Sequence, residues 1–255
     1  MSFAATLHEL RRDWRLAREI GDEAFALATQ HGFSQFAIMA QLFRGSAQIE
    51  EGDPETGRAT LTSAARAAET AGAELLHTYS TGMIARAPAK AGRLDEARTL
   101  VDEALAIARQ TGEHFYDAEL HRLRGEFLVP DGGPEAIART EACFRQTIEV
   151  ATTQRAPSWK LRTAVSLARL VGTGQTGADA LRILDDTYRS FTEGFDSPDL
   201  RDARALLHPH VVSDTSTESG PGSTMPAAHT LGYGPRRTAE QLHKDLAGVK
   251  RYRDS

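Results

Sequence analysis

The chain has a single cysteine, Cys143, among its 255 residues. No internal disulfide can form, and a reducing compartment suits such a chain. No apolar run approaches the roughly 18 residues of a membrane span. The N-terminus, MSFAATLHELRRDW, lacks the apolar core of a secretory signal. These absences predict a cytoplasmic protein that does not cross a membrane. One-sided charge is also missing: 35 acidic and 30 basic residues give a formal net charge of −5. So mild a balance argues against nucleic acid or a membrane surface as partner.

What the chain has is repetition. Residues 93–112 read RLDEARTLVDEALAIARQTG, one complete amphipathic helix. Forty residues earlier stands DPETGRATLTSAARAAETAG, and forty before that DWRLAREIGDEAFALATQHG. Ala17-Arg18, Gly57-Arg58 and Ala97-Arg98 fall in register, as do Ala24, Ala64 and Ala104, and Gly32, Gly72 and Gly112. Further glycines at 52, 92 and 132 put a stop about every 20 residues. Helix, stop, helix, stop is the pattern of an α-solenoid. We call the two helices of each pair A and B.

Taken in order, residues 1–12 are the end of a first A helix, with Ala5 where Gly45, Ala85 and Gly125 sit later, and 13–31 is its B helix. The following pairs are predicted at 34–51 with 54–71, 73–91 with 94–111, 113–129 with 134–154, and 158–171 with 178–192. Ser34 and Asp53 are candidate N-caps, and Pro54 suits a first helical position. Pro88 is expected to kink its helix or end it early. PDGGP at 130–134 lengthens one turn by about three residues. Ser197-Pro198-Asp199 opens a last, unpaired helix to about Leu207, its acid favoured by the helix dipole. Residues 212–255 are polar, expected disordered, with a transient charged helix at 238–252. The prediction is thus an all-α, right-handed solenoid over 1–211 and a polar tail.

The small residues Gly45, Gly57 and Ala64, spaced 12 and 7, recur as Ala85, Ala97 and Ala104, and as Ala168, Ala180 and Thr187. This resembles the tetratricopeptide repeat, with a unit of 40 residues. AELHRLRGEFL, EACFRQTIEVA, SWKLRTAVSLARL and FTEGFDSPDLRDARALL look like one set in particular: the C-terminal helical-repeat region of large bacterial regulators that carry an AAA-type ATPase module and often a class III adenylate/guanylate cyclase. The chain departs from that set at Thr140, Thr147 and Pro88. It contains no GxxxxGK[ST] phosphate loop and nothing like the cyclase. The resemblance implies a fold and a regulatory binding role, and carries no nucleotide chemistry over.

Candidate chemical motifs have bland readings. Gly172, Gly174 and Gly177 match GxGxxG, but a helix precedes them where a dinucleotide site needs a strand. His208 with His210, and His114 with His121, are too few for a zinc site. Cys143 lacks an evident base and reads as a buried small residue. Trp14, Phe25, Phe144 and Trp159 read as packing. No cofactor, metal or catalytic set is expected.

In tetratricopeptide superhelices the A helices line the concave face. That register, taken from the small A-helix residues, puts Met39, Leu42, Ser46, Tyr79, Arg86, Glu119, Arg122, Glu126, Arg162 and Arg169 in the groove. Two readings stand. The arginines bind the acidic end of a peptide whose apolar part lies on Met39, Leu42 and Tyr79. Alternatively the charges pair among themselves, Glu119 with Arg122 and Arg122 with Glu126. The function expected is a non-catalytic protein-interaction module, alone or with a separate ATPase or cyclase module. The alternative is a detached regulatory part of such a protein. Leu16, Ile20 and Leu27 of the open first pair suggest a homodimer. Assays of the chain for ATP hydrolysis and cyclase activity are expected to stay at background, and turnover of either kind would overturn the non-catalytic reading.

Overall fold

The computed structural model describes residues 2–72, 76–172 and 175–208. Among these the chain is all-helical, without strands, and its helices pack in consecutive pairs. They group into two compact units, Met1–Phe127 and Leu128–Ser255. The boundary falls beside the PDGGP turn, within the predicted 1–211 array.

The first unit contains α1 (Ser2–Leu10), α2 (Trp14–Gln30), α3 (Ser34–Glu50), α4 (Pro54–Thr70), α5 (His77–Lys90), α6 (Leu94–Thr111) and α7 (Asp117–Glu126). Each odd-numbered helix is an A helix and each even-numbered one a B helix. The pairs touch where the sequence places small residues. A Cβ added to Gly57 would stand 2.6 Å from the Gly45 carbonyl oxygen and from an Ile49 side-chain carbon. Ala17, Ala97, Ala64 and Ala104 are fully buried on equivalent turns. Glycines 32, 52, 72, 92 and 112 all follow helices with positive φ, a conformation open to glycine without a Cβ clash.

The in-register arginines act as staples. Arg18 on α2 pairs with Glu51, the residue that ends α3. Arg98 on α6 donates twice, at 3.0 and 2.7 Å, to the carbonyl of Phe127, which ends α7. Arg58 pairs with Glu96. A cation set against the carbonyl end of the next A helix meets the negative pole of its dipole.

The second unit holds a 3-10 turn (Val129–Asp131), α8 (Gly133–Thr153), α9 (Pro157–Val171), α10 (Gln175–Tyr188) and α11 (Pro198–Leu207). Its core gathers Phe144, Leu161, Leu167, Leu184, Leu200 and Leu206. Asp199 takes Arg162 in a buried forked pair, with contacts from 2.8 to 3.2 Å, and so ties α11 to α9.

Several expectations are corrected. Pro88 does not end α5, which runs on to Lys90. So near a helix end the missing amide costs one bond, and the Arg93 amide still donates to the Pro88 carbonyl. Ser34 is a first helical residue, preceded by Phe33, and makes no side-chain cap bond. Asp53 does cap, accepting from the Thr56 amide at 3.2 Å. The fourth A helix begins late, at Asp117; before it, the Glu113 carboxylate accepts from the Leu76 and Thr78 amides and caps α5. Ser197 precedes α11 without a side-chain cap bond. Cys143 is half-buried, while Thr140 and Thr147 are fully buried. Thr147 returns its hydroxyl to the Cys143 carbonyl at 2.9 Å.

The close contact gives a graded prediction. Gly57→Ala should cost about 1–3 kcal/mol, because a backbone carbonyl cannot yield as a side chain can. Gly52→Ala meets no atom within 4 Å and should cost about 1–2 kcal/mol from its positive φ alone. Denaturant titration of the two variants checks the order.

Candidate functional site

Three of the A-helix residues chosen from the repeat register, Ser46, Tyr79 and Arg86, meet in the first unit in a buried charge cluster. Arg86 on α5 is its centre. One guanidinium nitrogen meets Glu9 Oε1 at 3.3 Å and Ser46 Oγ at 3.4 Å, and another meets Glu50 Oε1 at 2.8 Å. The Trp14 ring lies 4.9 Å from the guanidinium carbon, close enough for a cation–π contribution. Lys90 takes the second oxygen of Glu50 at 2.9 Å. Glu9 also accepts from Ser46 Oγ at 3.1 Å and from the Tyr79 hydroxyl at 2.7 Å. Arg86 thus joins α5 to α1, α2 and α3.

Two acids, Glu9 and Glu50, face two bases, Arg86 and Lys90, so the cluster is formally neutral. Burial pushes against the charge on Arg86, but Glu50, Tyr116, Glu9 and Glu119 together raise its pKa. Burial alone would raise the Glu50 carboxyl; Arg86 and Lys90 outweigh it and hold it below the usual range. Burial, then the Glu9 charge, push the Tyr79 phenol well up, so it stays a neutral donor.

A second group extends the row. Glu119, fully buried, takes Arg122 in a fork with both bonds at 2.8 Å, and Arg122 reaches Glu126 at 3.2 Å. Self-pairing, one of the two readings of these charges, is therefore realised. Tyr79 packs edge-on to Tyr116 with ring centres 4.8 Å apart and lies 5.7 Å from Phe115.

The remaining positions divide. Leu42 and Tyr79 are buried and line no open surface. Met39 is half-buried. Arg162 belongs to the second unit and is locked to Asp199. Arg169 lies 3.7 Å from Asp202. The groove arginines all have carboxylate neighbours within the chain.

The register reading missed Glu9, Glu50 and Lys90. Glu50 and Lys90 stand 40 residues apart with opposite charges, a signal that was available. Glu9 had none, since its register equivalents are Ile49 and Ala89. Gly172 ends α9 and Gly177 lies within α10; positions 173–174, with Gly174 of GxGxxG, lie outside the described residues. His210 and the segment 212–255 also lie outside them. Among the described residues no group of three or more His, Cys, Asp or Glu is placed to hold a metal ion. No helix there is long and apolar enough to cross a membrane. His114 is held by Asp117 at 2.7 Å.

No protein-family model matches the chain, and a search of curated proteins finds no relative.

The cluster makes predictions of sign. Arg86→Met leaves Glu9 and Glu50 buried without their shared base and should cost about 3–5 kcal/mol. Arg86→Met combined with Glu50→Gln should recover part of that loss in a double-mutant cycle. Acid should destabilise in two steps. His121 has its pKa lowered, chiefly by burial; the unfolded chain binds its proton first, and stability falls as pH drops below about 6.5. Glu50, also lowered, adds a second loss below about 4.5. Melting temperatures between pH 8 and 3 should show both, with the second step reduced in Glu50→Gln.

Proposed function

We propose that the chain is a non-catalytic interaction scaffold that takes a peptide or protein segment on the A-helix side of its first unit. The observation that carries this reading is the exposure of large aromatics at the starts of A helices, in a unit whose groove charges are already matched within the chain. Phe36 is 49 % exposed and Phe115 44 % exposed. Met39 stands one turn from Phe36, and Phe115 packs against Tyr79. Singly exposed apolar residues need no explanation. Exposed aromatics at the starts of A helices suit an apolar ligand face, because aromatic anchors supply much of the energy of such interfaces.

The electrostatics refine the ligand. An incoming carboxylate would reach Arg122 by displacing Glu126, held more loosely than Glu119. The apolar part of a ligand therefore supplies affinity, and an acidic end supplies register. The resemblance to the helical-repeat region of cyclase and ATPase regulators supports a signalling partner, such as a separate ATPase or cyclase module.

Peptides selected on the full-length chain test this. Phe36→Asp combined with Phe115→Asp should weaken them about tenfold or more. Ile137→Asp, an exposed apolar position of the second unit, should leave affinity unchanged. Equal binding by all three proteins would overturn the proposal.

A further inference from the structure

The 40-residue register exposes an anomaly on α1. Phe3 corresponds to Phe43, Met83 and Leu123, and Leu7 to Ala47, Ala87 and Phe127. All six equivalents are buried. Phe3 is 83 % exposed and Leu7 54 % exposed. The same row of the repeat is thus covered on α3, α5 and α7 and open on α1.

The open row continues onto α2. There Gly21 approaches Ala40 and Arg44 of α3, Phe25 lies beneath the Arg44 guanidinium at 4.7 Å, and Asp22 pairs with Arg44. That flank faces α3. Leu16, Ile20 and Leu27, at steps of four and seven, lie on the opposite flank. Leu27 is exposed, while Leu16 and Ile20 are half-buried. Five apolar side chains therefore share the side of the α1–α2 pair that faces away from α3.

We propose that this face pairs with the same face of a second copy of the chain. Its charges are arranged for that partner. Along α2 Arg15 comes first and Glu19 and Glu23 follow. A two-fold axis perpendicular to α2 turns one α2 antiparallel to the other, which sets Arg15 of each against the acidic half of its mate. A same-face contact of this kind closes on itself as a dimer. Arg15 now pairs with Glu19 at 2.9 Å with both side chains largely exposed, so exchanging that partner for one across the interface costs little. The face lies at the opposite end of the first unit's helix order from α7 and does not depend on the ligand surface proposed above.

The test is the solution mass of the full chain against concentration, by sedimentation. A dimer is expected, with a dissociation constant that Phe3→Asp plus Leu7→Asp raises about tenfold or more. Circular dichroism of that variant should match the parent, since both side chains are exposed. Charge reversal supplies a readout independent of α1. Arg15→Glu alone and Glu23→Arg alone should each weaken the dimer, and the two together should restore it, because the reversed pattern is again self-complementary. A monomer up to about 100 μM, or a dimer indifferent to both sets of substitutions, would overturn the proposal.

Discussion

Arg86 is the residue through which the first unit is tied together. It sits on α5 and touches carboxylates or a hydroxyl from α1 and α3 and a ring from α2. A buried guanidinium is tolerable only if its hydrogen bonds and charge are answered. Here Glu9 and Glu50 answer the charge, and Lys90 answers what Glu50 has left over. Changing any member leaves another exposed to the low dielectric, so the four act as a unit. Apolar packing alone would hold the helices side by side and allow sliding by a turn. A charge cluster with directed bonds fixes their register.

The rest of the unit follows from two spacings. Small residues 12 and 7 apart let the helices of each pair approach until a glycine is within Cβ reach of a carbonyl. The 40-residue period then brings equivalent side chains of successive A helices together, and the staples at Arg18 and Arg98 tie α2 and α6 to the end of the next A helix. The second unit uses the same devices in altered form: an apolar core around Phe144 and Leu184, and a buried Arg162–Asp199 fork where the first unit has its cluster.

This organisation bears on function through what stays open. Arginines on a groove-facing register read naturally as receptors for acid. In the folded chain they are spent on internal partners, so the proposed ligand surface rests on the aromatics at the starts of the A helices. The α1 face is open for a different reason: its row is covered in every later repeat of the unit and bare in the first.

The sequence by itself determined the helices, their order and most of their ends. Helical periodicity, glycine stops and small-residue spacings are local properties of the chain, which is why Asp53 could be named as a cap. It also determined which residues share a register row. The tertiary structure decided which charges meet. Glu9 lies 77 residues from Arg86 and has apolar register equivalents, so no local pattern announced it. The cap of α5 was likewise decided at a distance, by Glu113, 37 residues along the chain from Leu76. Periodicity reports what one stretch of chain prefers, whereas a buried ion cluster is a balance among side chains from four helices, settled only when they pack.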